Sequence, residues 1–193
     1  MESIFEVELE KELGYGYIIM RSIEGELVFF IIDMHSINRL NEYSDLHLKR
    51  YLIAPSLGRM LPPKIKKYGW KKLYETNSNI ESISIYVKNS SGLSIEKTKN
   101  WTSLDWCTFD KFLISSDFKL PYEAVKHLPL WRHLHPDLIK YRLTLIWIRR
   151  LGKEILDFYP EESMSWSEKA VYYEMINTPF YDEIEVHDIF RPS

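Results

Sequence analysis

The sequence predicts an α+β fold, with an N-terminal antiparallel twisted sheet or small barrel-like sheet of about six strands packed against C-terminal helices. Three observations predict it. Apolar residues alternate with period two through the first third of the chain. The connections there are short enough for antiparallel neighbours. Helical spacing begins only after Pro121, and strands followed by helices make α+β in place of alternating βαβ units. The expected organisation is a single domain over residues 1–193, mainly strand over 1–120 and mainly helix over 121–193.

The first strand is read from Phe5, Val7 and Leu9 alternating with Glu6, Glu8 and Glu10, a pattern with one face buried and one in water. Gly14-Tyr15-Gly16-Tyr17 is the expected turn, because glycine accepts the positive φ that tight turns require, and Tyr17 to Ile23 resumes as a strand. Glu24-Gly25-Glu26 turns again into Leu27–Ile32, whose β-branched and aromatic run reads as a central strand. Between His35 and Tyr74, Pro55, Pro62, Pro63, Gly58 and Gly69 break the pattern into a long, partly irregular excursion. Strands resume around Trp70 to Glu75, at Ile83 to Val87 and near Leu104 to Phe109.

Pro136 stands where a helix has its first residue, with His135 as the polar residue before it and Asp137 at the positive end of the helix dipole. Leu138, Tyr141, Leu145 and Ile148 follow at helical spacing, and Ile139, Leu143 and Ile146 widen the apolar face, so most of this helix is expected against the sheet. Gly152 is the expected left-handed stop after Arg149 and Arg150. Lys153 to Tyr159 reads as a short second helix ending at Pro160. Ser165-Trp166-Ser167-Glu168 has capping-box spacing and opens a third helix, to about Ile176, that Asn177-Thr178-Pro179 closes.

Composition narrows the function classes. With 45% hydrophobic and 27% charged residues and only 7 Gly and 9 Pro, the 193 residues have the make-up of a globular protein. The opening Met1-Glu2-Ser3-Ile4-Phe5-Glu6 lacks the basic and apolar stretches of a secretory signal, and the apolar run Leu27–Ile32 is far shorter than the ~20 residues a bilayer span needs. A soluble, cytoplasmic protein is the expectation, with no membrane partner. Cys107 is the single cysteine, which excludes an internal disulfide and reads as a buried, inert thiol.

Net charge is −3, but charge is unevenly spread. From Leu46 to Leu73 there are eight basic residues (Lys49, Arg50, Arg59, Lys64, Lys66, Lys67, Lys71, Lys72) and no acidic one. From Glu154 to Ser193 ten acidic residues face two basic ones, a balance of −8. Either these segments meet in the fold or the molecule carries opposed patches that steer a charged partner.

His127, His133 and His135 form the one metal-like cluster, since His-x-His in a strand puts both rings on one side. No carboxylate lies at the usual local distance, so a structural or surface role is the preferred reading and no metal or cofactor is assigned. The lysine-rich stretch 64–72, with Tyr68 and Trp70 interleaved, has the residue types of a single-stranded nucleic-acid groove. A solvated loop or a protein-contact surface uses the same residues, and without an RNP-type motif nucleic acid is not the preferred partner. Gly14-Tyr15-Gly16 lacks the third glycine of a phosphate loop and precedes a strand. No nucleophile-elbow, zinc-protease or Walker sequence occurs, and no catalytic residue is assigned.

The 13 Tyr, 9 Phe and 6 Trp weigh more, because tyrosine and tryptophan supply large, rigid contact area where proteins bind proteins. Trp70, Tyr122, Trp131, Trp166 and Tyr181 are the aromatic candidates, each with a core role as the alternative. The candidate partner-binding set is Trp70, Trp166, Glu161, Glu162, Asp182, Glu183 and Glu185. Glu161-Glu162 is most simply a solvated face; the acidic tail is slightly preferred over the basic segment as the contact surface.

Phe5-Glu6-Val7-x-Leu9, followed by Gly14-Tyr15-Gly16-Tyr17 and the aromatic strand Val28-Phe29-Phe30, resembles the amino-terminal signature of the bacterial immunity protein 26 family, most clearly over roughly the first 35 residues. The strings Val125-Lys126-His127-Leu128 through Trp131, Arg149-Arg150-Leu151-Gly152-Lys153 and Asn177-Thr178-Pro179-Phe180-Tyr181 look like longer members. The resemblance implies a protein encoded beside a polymorphic toxin, which protects its own cell by binding and blocking that toxin without catalysis. That family also takes in a protein described as a phosphotriesterase, so a metal-dependent hydrolase using the histidine cluster is the alternative the resemblance leaves, and the lysine-rich nucleic-acid binder is the third.

Overall fold

The alternation of apolar residues produces a sheet, and it places those residues on two faces that are both covered. The computed structural model describes residues 2–23, 26–41, 46, 50–58, 65–76, 87–89, 105–110, 114–121 and 132–184. Strands β1 (Glu2–Glu8), β2 (Tyr15–Ile23) and β3 (Glu26–Ser36) form the antiparallel meander the sequence predicts. β4 (Ser56–Gly58) joins β3 antiparallel, β5 (Trp70–Thr76) joins the other side of β1, and β9 (His133–Leu134) pairs parallel with β4. The order is β5-β1-β2-β3-β4-β9, an open, mixed sheet and neither a closed barrel nor wholly antiparallel. A separate three-stranded sheet holds β6 (Val87–Asn89), β7 (Asp105–Asp110) and β8 (Ile114–Pro121). The main sheet has six strands, the number expected; two of its members, β4 and β9, are short and carry no alternating pattern, and the second sheet adds three more strands. The strand expected at Ile83–Val87 lies outside the described residues except for Val87.

The turn between β1 and β2 differs from the glycine-centred one expected. Tyr15 and Gly16 already belong to β2, and the tip is Glu10–Leu13, where Leu13 N donates to Glu10 O at 3.3 Å. Lys11 and Glu12 carry φ of 57° and 56°, so the tip has the left-handed pair of a type I′ turn. Gly14 follows at φ 85°.

Helix α1 (Pro136–Arg150) begins as predicted, with Pro136 first and His135 as N-cap accepting from the Asp137 amide. It ends at Gly152, whose φ of 68° lets Gly152 N donate to Arg149 O and Lys153 N to Ile148 O, both at 3.0 Å. Helix α2 (Ile155–Phe158) is short, and a 3₁₀ turn at Glu161–Ser163 leads to α3 (Trp166–Asn177), opened by the Ser165/Glu168 capping box. Phe5, Val7, Ile18, Phe29 and Ile31 on one sheet face pack with Ile139, Leu143, Ile146 of α1 and Val171, Met175 of α3. Gly16 lets α1 approach β2 closely, since a Cβ there would lie 2.9 Å from Leu143 and from Trp147.

The opposite face was expected in water and is not. Ile4, Tyr17, Ile19, Val28, Phe30, Ile32, Leu46 and Leu57 form a second buried cluster. Glu6, on that face, is 1% exposed and accepts hydrogen bonds from Tyr17 (3.4 Å) and Arg39 (3.2 Å). Glu2 pairs with Arg21, which donates to Tyr51 at 2.7 Å. These carboxylates look like solvent-facing residues in the sequence because their cationic and phenolic partners come from β2 and from the segment after β3.

Candidate partner-binding face

The seven predicted contact residues separate in the fold. Trp70 is no surface anchor: it is 1% exposed, with its ring edge-on to Phe5 (5.6 Å) and Phe29 (5.9 Å). Strand β5 turns Trp70 inward while Lys71 and Lys72 stay exposed, so the lysines around it gave a misleading hydrophilic context. Glu185 lies outside the described residues, as do Tyr122 and Trp131.

Asp182 and Glu183 are turned onto the protein itself. Arg150 donates to Asp182 at 2.7 Å and lies 3.5 Å from Asp33, while Arg149 donates to Glu183 at 3.1 Å. Arg149 also donates to the carbonyls of Met175 (3.0 Å) and Thr178 (2.6 Å), and its guanidinium lies 4.3 Å from the Phe180 ring centre. Hydrogen bonding to Arg150 holds the Asp182 carboxyl below its usual range. Asp182 and Glu183 therefore meet the arginines that end α1. Both carboxylates remain partly exposed, but their charge is largely compensated.

Trp166 is exposed to 60% on the first turn of α3. The capping box sets it there, because Ser165 and Glu168 satisfy each other's backbone amides and fix the helix start. The Arg132 guanidinium lies 5.9 Å from its ring centre, within cation–π range. Glu162, four residues earlier in the chain, is exposed, and Glu161 accepts from the Tyr173 hydroxyl.

Arg132 leads through β9 to the N-cap of α1, and there the aromatic and cationic groups continue. The His135 ring is edge-on to Tyr68 at 5.4 Å, and Lys67 Nζ lies 4.5 Å from the centre of the Tyr68 ring. A hydrogen bond to Tyr68 raises the Lys67 ammonium above its ordinary value. Lys140, one turn into α1, brings its Nζ to 3.1 Å from where a Cβ on Gly69 would stand. The N-terminal end of α1 thus joins Trp166 and Arg132 on one side to Tyr68, Lys67 and Lys66 on the other. Tryptophan, tyrosine and arginine in one region are the residue types that most often anchor protein interfaces.

Of the predicted histidines, His127 lies outside the described residues, His133 is half-buried in β9, and His135 is occupied as N-cap, its Nδ1 accepting from the Asp137 amide. Among the described residues no group of three His, Cys, Asp or Glu side chains is placed to hold a metal ion. No helix among them is long and apolar enough to cross a membrane. The lysine segment and Trp166 were legible in the sequence. Arg132, His135 and Lys140 were not seen as part of one face, because 34 positions separate Arg132 from Trp166 and 67 separate His135 from Tyr68. Comparison of the chain with protein-family models, with curated proteins and with solved structures finds no match.

Proposed function

We propose that the chain is an immunity-type protein, which binds and neutralises a cognate bacterial toxin through its surface and carries out no catalysis. The observation that carries this reading is Trp166, a large aromatic side chain exposed on a capped helix start with Arg132 across its ring. An indole in water is a site that gains by burial, and burying 150–250 Å² of aromatic surface makes a side chain of this kind dominate an interface. Its position on regular structure, tied to the sheet through α1, makes it pre-organised, so little conformational entropy is lost when a partner covers it. The resemblance of β1 to β3 to immunity protein 26 agrees with such a role and supplies the class of partner, a toxin encoded nearby.

Co-expression with the product of the adjacent gene, followed by affinity purification and a growth test, examines this. The reading expects a stoichiometric complex and restored growth. Absence of both complex and rescue rejects it.

A further inference from the structure

The geometry points to a carboxylate-rich protein surface as what the cationic side of this face receives. This deepens the binding reading, and rests on it for the existence of a protein partner. Three lysines are brought together by two elements: Lys66 and Lys67 on the 3₁₀ turn Ile65–Tyr68, and Lys140 on α1 against Gly69, the residue that follows that turn. Lys66 and Lys67 are exposed. Lys72, on β5, is largely compensated by Glu75. Among the described residues the nearby acidic groups include Asp137, whose charge acts on Lys67, and Glu8, whose carboxylate lies 3.9 Å from Arg39.

Solvated lysines on an edge strand are a common device against strand-to-strand aggregation, and that role alone would account for Lys71 and Lys72. It does not account for Lys140, which a helix delivers to the same place from a distant part of the chain. Nor does it account for the internal pairing of the acidic stretch. Arg149 and Arg150 hold Glu183 and Asp182 at the far end of α1, about 15 Å along the axis from Lys140, so these two carboxylates do not neutralise the lysines. The result is a local positive field on a chain of net charge −3. Such a field accelerates capture of an oppositely charged surface and excludes like-charged ones. A nucleic-acid strand is the other polyanion that lysines attract, but strand binding also draws on aromatic platforms for bases. The tryptophan of this segment, Trp70, is in the core, and the half-buried Tyr68 ring is taken up by His135 and Lys67.

The test is a titration of the whole chain with a short oligoglutamate peptide and, separately, with single-stranded oligothymidine, at low and physiological salt. The expected result is peptide binding that weakens as salt rises and perturbs the backbone amides of Lys66, Lys67, Gly69 and Lys140. Lys66→Glu/Lys67→Glu should weaken it at least tenfold, Lys140→Gln several-fold, and Lys153→Glu, an exposed reversal beyond the other end of α1, should leave it unchanged. Thermal melts confirm that the variants fold. No peptide binding, equal loss with Lys153→Glu, or tighter binding of oligothymidine overturns the inference. The two proposals separate cleanly: a toxin complex that survives Lys66→Glu/Lys67→Glu rejects this surface while the immunity reading stands. Peptide binding without any toxin complex does the reverse.

Discussion

Arg142 and Glu174 meet inside the protein, their guanidinium and carboxylate 3.8 Å apart, and the contact ties α1 to α3. Arg142 also donates to the Ala54 carbonyl at 3.1 Å, so a single side chain binds both helices to the segment that leads into β4. Burial pushes its pKa down, and the Glu174 charge opposes that.

Removing one member of this pair leaves the other charged and buried. Arg142→Met is therefore expected to destabilise the fold by ~3–5 kcal/mol, whereas Arg142→Met with Glu174→Leu should recover most of that loss. Urea unfolding of the two variants measures it. A double variant no more stable than the single would show that the Ala54 hydrogen bond, not the ion pair, is the main contribution.

Two glycines should respond differently to alanine. At Gly16 the added methyl would press on Leu143 and Trp147, and overpacking of this kind costs ~1–3 kcal/mol. At Gly152 nothing lies within 4 Å, and only the φ of 68° is strained, at ~1 kcal/mol. Thermal melts of the two variants should rank Gly16→Ala below Gly152→Ala.

The Lys11-Glu12 tip holds two non-glycine residues in the left-handed region, a conformation that Asn-Gly occupies at lower cost. Replacing the pair by Asn-Gly should raise stability by ~1–2 kcal/mol and the melting temperature by a few degrees. An unchanged or lowered melting temperature would mean that the contact of Lys11 with the Tyr159 ring, at 4.7 Å, contributes as much as the strain removes.

Alkaline pH should unfold the protein cooperatively. Burial raises the phenols of Tyr141, Tyr159 and Tyr181 above the ordinary tyrosine value; Glu168 and Glu10 add to this at Tyr141, and the hydrogen bond to Glu10 at Tyr159. A folded pKa above the unfolded value of about 10 means that the native state holds more protons there. Its stabilisation is full below pH ~10 and falls as pH rises beyond that. Tyrosinate absorbance followed alongside circular dichroism checks this: part of the tyrosine titration should coincide with loss of structure. Complete titration near pH 10 with the fold intact would contradict it.

Local chemistry made much of this fold legible. His135-Pro136-Asp137, Gly152 and Ser165/Glu168 each signal a helix boundary through groups within four residues of one another, and each boundary lies where it was expected. The meander was legible for the same reason, as alternation between short connections. What depended on distant partners was not. Glu6 resembles a solvent-facing strand residue until Arg39 and Tyr17 are placed on it. Trp70 lies among lysines in the chain and among Phe5 and Phe29 in space. The acidic stretch resembled a free contact surface because its arginines lie some 30 residues earlier. The parallel β4–β9 pair joins two short segments that carry no strand pattern of their own.

The most direct measurement of the central claim is the dissociation constant of the complex with the adjacent gene's product, compared between the native chain and Trp166→Ala. Trp166 is exposed and outside both core clusters, so its removal should leave folding intact. The account predicts a complex that the substitution weakens ~30-fold or more, the loss of ~2 kcal/mol expected for an interface anchor. A native chain that forms no complex, or a variant that binds equally well, would contradict it.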